Sequence, residues 1–333
     1  MEESIMTQYV RWREKLKFFD LFAGIGGFRL GMERAGHECI GSCEWDNHAR
    51  ETYKKNFGSY PEYDDAKDLH PQSLPYFDVL CAGFPCQAFS IAGKRLGFED
   101  TRGTIFFEIA RIAKEKRPPY LFLENVKGLL SHDKGRTFDT IISTLDEMGY
   151  DAEWQVLNSK YFVPQNRERI FIVGHLRDRR TRKVFPLGDF DSEIDKQKLT
   201  QIGNIDTKGH NSLWGRVYDP NFICPSLNAN GGGMGAKTGL FAIPTLTPDR
   251  LEKRQMGRRF KEDGEPAFTV NTQDRHGVYD GIKIRKLTPT ECERLQGFPD
   301  NWTIGSDTQR YKQCGNAVTV NVVEYIAKEL RLG

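Results

Sequence analysis

Short apolar runs alternate with segments of helical periodicity along the first 185 residues of the chain. Runs such as FFDLF and YLFLEN have the length of buried strands, whereas RGTIFFEIARIAKEKR repeats its apolar residues as an amphipathic helix does. Strands that alternate with helices in this way predict an α/β fold with a parallel sheet and helices on both faces. The pattern predicts strands at 16–22, 37–45, 77–84, 120–125 and 168–174, and helices at 28–36, 47–57, 102–117 and 137–149.

The periodic pattern ends near residue 185, which predicts the domain organisation. Residues 186–285 are rich in Gly, Pro, Asn and Arg. Regular patterns return at 288–298, where Thr288 is predicted to cap a helix with Pro289 in its first turn. The chain ends in an amphipathic helix within 316–333, and Asn47 is predicted to cap the helix at 47–57. We therefore predict a first domain at 1–190, a smaller irregular domain at 191–287, and a segment at 288–333 that returns to the first domain.

Composition and charge narrow the class of protein. The 333 residues carry a formal net charge of +2, with 38% hydrophobic and 28% charged residues, which is typical of a globular protein. This balance neither requires nor excludes a nucleic-acid partner, because a local basic face can be hidden in the total. No apolar run approaches the ~18 residues of a membrane span, and the N-terminus lacks the apolar core of a signal peptide. These observations predict a cytoplasmic location and no membrane partner.

The seven cysteines form no CxxC pair, and their number is odd. We therefore expect no structural metal site. All of them except Cys86 are interpreted as small buried hydrophobic residues.

A glycine-rich turn follows the first predicted strand, in FFDLFAGIGGFRLGM. Gly24, Gly26 and Gly27 would let a ligand approach the backbone at the start of a helix, although the spacing is not GxGxxG. By itself the motif is equally typical of a plain tight turn. Glu44 and Trp45 end the second strand, where an acid commonly binds ribose hydroxyls. The pattern therefore indicates a site for an adenosine-containing cofactor.

Three further predicted strands end or begin with reactive or charged residues. Cys86, in GFPCQ, follows the strand at 77–84, and Glu124 ends the strand at 120–125. Ligands bind at this edge in open α/β sheets, where a thiol of lowered pKa can act as a nucleophile. Arg167 and Arg169 lie at the start of the strand at 168–174. Because side chains alternate along a strand, these two arginines would point to the same side as each other. Each alone has a plainer interpretation, as a loop thiol or as surface charges. The convergence of Cys86 and Glu124 on one sheet edge beside an adenosine pocket favours catalysis.

These motifs, in this order, resemble those of the DNA (cytosine-5)-methyltransferases, especially the short bacterial HhaI-type enzymes. The resemblance runs almost from end to end, through the segments DLFAGIGGFRLGM, EWD, GFPCQAFSIAGKRLGFEDTRGTIFFEIARI, LENVKGL, VPQNRERIFIVG, RKLTPTECERLQGFPDNW and QCGNAV. It implies a Rossmann-like S-adenosylmethionine-dependent methyltransferase sheet with a target-recognition domain at 191–287. It also implies methyl transfer to C5 of a cytosine flipped out of double-stranded DNA.

The resemblance assigns roles residue by residue. Cys86 matches the family's nucleophile. Glu124 matches the residue that contacts N3 and N4 of the cytosine. Arg169 matches the arginine that supports the target base, and Arg167 lies near it in the sequence. The positions that match cofactor contacts, or adjoin them, are Phe22, Gly24, Gly26, Gly27, Glu44, Trp45, Asp65, Pro85 and Asn316, with Asp64 a near-equal alternative to Asp65. The expected DNA contacts are Gln87, Ser90, Arg216, Lys237, Thr238 and Arg275.

Alternatives remain open at this point. The segment at 250–277 looks like an insertion relative to HhaI-type enzymes, so no target sequence is transferred. We expect a modification enzyme that is paired with a restriction endonuclease and acts as a monomer. One branch of the family methylates tRNA, and a DNA-binding protein without activity is the non-enzymatic alternative. The long Gly-rich segment and the FPCQ context favour DNA methylation.

Overall fold

A six-stranded sheet forms the centre of the computed structural model, which describes residues 14–85, 105–188, 265–270 and 287–333 and the backbone of five strands between 201 and 286. The strand order is β2-β1-β3-β4-β6-β5. The strands are β1 (Lys17–Leu21), β2 (Glu38–Cys43), β3 (Val79–Gly83), β4 (Tyr120–Val126), β5 (Tyr150–Asn158) and β6 (Glu168–Leu176). The helices between them are α1 (Gly27–Arg34), α2 (Asn47–Phe57), α3 (Ile105–Lys116) and α4 (Arg136–Glu147).

The sheet is mixed, and this corrects the expectation of a parallel sheet. Strands β1 to β4 are parallel to one another, whereas β6 runs antiparallel to both β4 and β5. Strand β5 was not predicted, because its sequence YDAEWQVLN contains no continuous apolar run. After α4 the chain forms the edge strand β5 and then turns back into β6, which lies between β4 and β5. The start of β6 therefore lies beside the end of β4.

Helices cover both faces of the sheet, as predicted. On one face the apolar side chains of α3 and α4, such as Ile109 and Ile141, pack with Leu21 and Leu80. On the other face Phe28 and Met32 of α1 pack with Phe18 and with the C-terminal helix. The alternation of side chains along each strand places successive residues in these two cores.

The C-terminal segment consists of three helices. They are α5 (Pro289–Leu295), α6 (Asp307–Asn316) and α7 (Val320–Ala327). Helix α7 is shorter than the predicted terminal helix, since the chain is extended at Ala317 and Thr319. It packs on α1, where Gly31 leaves room: a Cβ there would lie 2.7 Å from Cβ of Val323.

Side-chain caps fix two of the predicted helix starts. Thr288 caps α5 in a capping box with Glu291, and Pro289 is in the first turn, as predicted. The predicted cap at Asn47 is wrong. Asp46 caps α2 instead, accepting hydrogen bonds from the amides of His48 and Ala49, because its carboxylate lies one residue before the first helical position.

The region between 201 and 286 contains five described strands in two small antiparallel sheets. Strands β7 (Gln201–Asn204) and β8 (Arg216–Tyr218) form one pair, and β9 (Ile243–Leu246), β10 (His276–Tyr279) and β11 (Ile284–Lys286) form a three-stranded sheet. In the described part of the chain, no helix is long and apolar enough to cross a membrane.

The described cysteines follow the expectation of small buried residues. Cys43, Cys81, Cys292 and Cys314 are buried, and Cys39 is partly buried. Among the residues that the structure describes, no three His, Cys, Asp or Glu side chains are arranged to hold a metal ion.

Candidate functional site

A cavity of about 480 Å³ lies where strands β1 to β4 end, a volume typical of a small-molecule site. One wall is the turn after β1, and the facing wall is the end of α6. Its floor is formed by Gly83 and Glu124 at the ends of β3 and β4. Of the residues predicted to form the site, Phe22, Gly24, Gly27, Glu44, Trp45, Pro85, Glu124, Arg167, Arg169 and Asn316 line this cavity.

The glycine-rich turn shapes the first wall. Phe22, Gly24 and Gly26 all have positive φ angles, of 62°, 55° and 86°. A Cβ on Gly24 would meet no protein atom within 4 Å, so the backbone there is open to a ligand. Gly26 does not line the cavity in the structure; a Cβ there would collide with the ring of Phe57. Gly26 is therefore needed for the conformation of the turn and for its close packing against Phe57.

Glu44 and Trp45 continue this wall. The carboxylate of Glu44 is buried and accepts hydrogen bonds from the amides of Gly24 (2.7 Å) and Asp46 (2.8 Å). Burial raises the pKa of Glu44, while these amides oppose the shift. Trp45 is 72% exposed, although large aromatic side chains are usually mostly buried. An exposed indole at a cavity wall offers a flat face for a planar ring.

Asp65 and its alternative Asp64, which were expected to contact the cofactor, lie outside the cavity lining. Asp65 accepts a hydrogen bond from the amide of Lys67 and caps a short 3-10 helix. Asp64 forms an ion pair with Arg50. Neither residue lines the cavity.

The facing wall comes from α6, with Asn316 at its end. Lys312 Nζ lies 2.9 Å from Asp46 Oδ2, and Gln313 Oε1 accepts a hydrogen bond from the hydroxyl of Thr52. These contacts fasten α6 to α2. Sequence reasoning missed Lys312 and Asp46 as cavity residues, although Asp46 directly follows the EW pair that was identified.

Glu124 and Arg169 both line the cavity and form an ion pair. Arg169 Nε lies 3.1 Å from Glu124 Oε1, and the two side chains are only 16% and 13% exposed. Their strands are antiparallel, with Val126 opposite Arg169. Burial lowers the pKa of Arg169, and the carboxylate of Glu124 opposes that shift. A buried carboxylate held by a guanidinium can hydrogen-bond a polar ring that enters beside it.

Pro85 marks the approach to the predicted nucleophile. The amide of Phe84 donates to the carbonyl of Glu124 (3.3 Å), and Pro85 lines the cavity. Cys86 is bonded to Pro85 but lies outside the described residues, as do Gln87, Ser90, Lys237, Thr238 and Arg275. Arg216 is the first residue of β8, whose backbone alone is described.

One family model and three known proteins are similar to the chain over nearly its whole length. The family model described as C-5 cytosine-specific DNA methylase matches residues 16–331. The type II methyltransferase M.HhaI of Haemophilus parahaemolyticus is 39% identical, over 94% of this chain and 93% of that protein. M.HpaII of Haemophilus parainfluenzae is 41% identical over 96% and 90%. The orphan methyltransferase M.SPRI of Bacillus phage SPR is 35% identical over 95% and 97%.

Solved structures share the fold at lower identity. The S. pombe Dnmt2 methyltransferase superposes with a TM-score of 0.56 at 17% identity, over 94% of this chain and 98% of that one. The Entamoeba histolytica methyltransferase EhMeth gives 0.54 at 18% identity, over 94% and 97%. At these identities the comparison supports the α/β methyltransferase fold.

Proposed function

The chain belongs to the C-5 cytosine-specific DNA methylase family, and from this premise we propose that it methylates one cytosine within a short double-stranded DNA sequence by a covalent mechanism centred on Cys86. Enzymes of this family take the methyl group from S-adenosylmethionine and act on a base flipped out of the duplex. The observation that carries the proposal is the ion pair of Glu124 and Arg169 in the lining of the cavity, which Pro85 also lines.

The walls of the cavity fit S-adenosylmethionine. The backbone at Gly24 is open, Trp45 offers an exposed aromatic face, and Glu44 holds a buried carboxylate for ribose hydroxyls. On the facing wall, Gln309 Oε1 is buried and finds no partner among the described residues, so the amino group of a ligand would satisfy it. Phe22 and Asn316 line the same cavity. When bound, the cofactor supplies an electrophilic methyl group on a sulfonium.

The proposed role of Cys86 follows from the weak nucleophilicity of C5 in cytosine. The Cys86 thiolate adds to C6, and the electron pair of the C5–C6 bond moves onto C5, which becomes nucleophilic. Once C5 carries the methyl group, loss of the C5 proton and elimination of the thiolate restore the double bond. Pro85 restricts Phe84 to extended geometry and so orients the approach to Cys86.

Glu124 is proposed to hold N3 and N4 of the cytosine and to stabilise the charge that develops in the ring during addition. Arg169 keeps that carboxyl in place and contacts the base. Because the pair is largely buried, these interactions act in a medium of low polarity, where each hydrogen bond has a stronger effect than in water.

Residues 191–287 are proposed to read the DNA sequence, as a domain separate from the catalytic residues 1–190, with 288–333 returning to the latter. The packing of α7 on α1 supports the return. Arg216, Lys237, Thr238 and Arg275, with Gln87 and Ser90, are the proposed contacts to bases and phosphates.

The cellular setting is also proposed from the relatives. Two of the relatives described above are named as type II methyltransferases and one as an orphan methyltransferase. We propose that the chain is the modification enzyme of a restriction-modification pair. It acts as a monomer on DNA in the cytoplasm. An orphan enzyme without an endonuclease is the second possibility that these relatives support.

Bisulfite sequencing of DNA from cells that express the chain tests the proposal. We expect protected cytosines confined to one short motif, and none in cells that express Cys86→Ser. Uniformly unprotected DNA, from cells with folded wild-type protein, would reject the proposed activity. A methylation assay on tRNA would then test the RNA alternative.

A further inference from the structure

Arg167 is a buried cation whose guanidinium is bound to backbone carbonyls. Its side chain is 3% exposed. Nη1 donates to the carbonyl of Val270 (2.8 Å), and Nη2 donates to the carbonyls of Ala317 (2.8 Å) and Gly315 (3.3 Å). Three carbonyls from two separate stretches of chain are therefore joined by one planar group, a geometry that suits Arg and not Lys.

Two of these carbonyls lie at the end of α6, on either side of Asn316. The C-terminal end of a helix carries unpaired carbonyls and partial negative charge, so a cation there is stabilised. Arg167 thus fixes the backbone that presents Asn316 to the cavity.

The third carbonyl belongs to a short segment, residues 265–270, that is attached to the loop before β6. The amide of Ala267 donates to the carbonyl of Pro164 (2.9 Å), and the amide of Asn166 donates to the carbonyl of Ala267 (2.8 Å). The amide of Val270 donates to Gln165 Oε1 (2.7 Å). Six residues after Val270 the chain enters β10, within the region proposed to read DNA.

Buried polar contacts extend this attachment to the C-terminal helices. Gln165 Nε2 donates to the carbonyl of Leu295 (2.7 Å), and Gln296 Nε2 donates to the carbonyl of Cys314 (2.7 Å). Buried hydrogen bonds of this kind favour a single arrangement, because each broken bond leaves a polar group without a partner. The 265–270 segment and the end of α6 are therefore parts of one rigid connection.

We propose that Arg167 is a positioning residue that couples the DNA-reading region to the cofactor wall at Asn316. This rests on the proposed function, which assigns 191–287 to DNA and Asn316 to the cofactor. A change at either site shifts the carbonyls that Arg167 holds and reaches the other site through them. Occupancy of the cofactor cavity then strengthens binding of the cognate DNA, and by linkage the reverse holds equally.

A thermodynamic cycle with the full chain tests the coupling. The dissociation constant of a duplex carrying the methylated motif is measured with and without S-adenosylhomocysteine, and that of S-adenosylhomocysteine with and without the duplex. For the wild-type protein we expect each ligand to lower the dissociation constant of the other about 10-fold, within the usual range of coupling between sites. This ratio of dissociation constants is the coupling factor. Arg167→Lys keeps the charge but cannot hold all three carbonyls, and we expect its coupling factor to fall below about 2-fold.

Arg310→Lys is the matched control. Arg310 also donates to buried partners, Glu293 and the hydroxyl of Thr303, but it contacts neither the 265–270 segment nor the cavity. It should lower the melting temperature and keep the wild-type coupling factor. If Arg167→Lys does not fold, Gln165→Met, which releases the amide of Val270 with Arg167 in place, should reduce the coupling.

Two results would overturn the proposal. The first is a wild-type protein whose two ligands bind independently. The second is a folded Arg167→Lys protein with the wild-type coupling factor. Failure of the proposed function is distinct, because it shows as unmethylated DNA in the bisulfite experiment before any cycle is measured.

Discussion

Arg169 Nε lies 3.1 Å from Glu124 Oε1 across two antiparallel strands, and both residues line the cavity. Neither side chain is more than 16% exposed. A carboxylate so placed has little solvent to compete with a substrate, and the guanidinium limits its rotation. In the proposed mechanism the pair would be held in place before a base enters, which is the arrangement that electrostatic catalysis requires.

Glu124→Gln is expected to lower kcat for methyl transfer about 10²- to 10⁴-fold, the usual effect of removing an acid–base group. The amide keeps the shape of the side chain but cannot share a proton with N3. The rate is measured as transfer of a labelled methyl group to a duplex that carries the motif. Glu168→Gln is the control, since Glu168 is exposed, pairs with Lys127 and neighbours Arg169 in β6. Unchanged kcat in Glu124→Gln would remove Glu124 from the mechanism.

Trp45→Ala is expected to weaken cofactor binding with little loss of stability, because the indole is already 72% exposed. Stacking of a base on an aromatic side chain contributes about 1–3 kcal/mol, so the dissociation constant should rise roughly 5- to 150-fold. Trp45→Phe should restore most of the affinity. Calorimetric titration with S-adenosylhomocysteine provides the measurement.

Trp154→Ala is the matched control for Trp45. Trp154 is 45% exposed, packs on Phe138 and does not line the cavity. Equal cofactor affinities for the two alanine variants would show that Trp45 does not stack on the ligand.

Asp20 makes stability depend on pH. It is fully buried below the glycine-rich turn, where Oδ2 accepts a hydrogen bond from the amide of Arg29 (3.2 Å) and Oδ1 has no partner among the described residues. Burial raises the pKa of Asp20 to about 8. The unfolded chain releases this proton near pH 4, whereas the folded protein holds it up to about pH 8. The contribution of Asp20 to the free energy of unfolding therefore falls as pH rises through that window.

Asp20→Asn should reduce this dependence, because the amide resembles the protonated carboxyl and keeps an acceptor for the amide of Arg29. We expect the difference in free energy of unfolding between pH 5 and pH 8.5 to be smaller than in wild type. Urea unfolding at the two pH values measures it. Asp178→Asn, at an exposed carboxylate, should leave the difference as it is. An identical pH dependence in Asp20→Asn and wild type would contradict the assignment.

The sequence was sufficient to place Glu124, Glu44 and Trp45 at the cavity, because each ends a strand and parallel strands end at one edge. Only the resemblance to the family assigned Arg169 to the same site, because a parallel β6 would have started at the opposite edge. The antiparallel turn through β5 is what brings Arg169 to Glu124. Strand β5 was not predicted, because its charged residues interrupt the apolar run by which a buried strand is recognised.

Contacts between distant parts of the chain were beyond prediction. Lys312 pairs with Asp46 across 266 positions, and Arg167 reaches Ala317 across 150. Nothing in the local pattern around Lys312 or Arg167 indicates such partners, since an isolated charge is more typical of a solvated surface. Only the packing of α6 and α7 against the first half of the chain creates these pairs.

Gly31→Ala is expected to destabilise the protein by about 1–3 kcal/mol, the usual cost of overpacking. An added Cβ would lie 2.7 Å from Cβ and Cγ1 of Val323 and 2.9 Å from the carbonyl of Val320, so α7 would have to move away from α1. Thermal unfolding measures the loss. Gly128→Ala is the control, because a Cβ there meets its nearest atom, Val126 Cγ2, only at 3.9 Å. Equal melting temperatures for both variants would show that the α1–α7 contact is not close-packed. A selective loss in Gly31→Ala would show that the C-terminal helix stabilises the sheet on which the cavity is built.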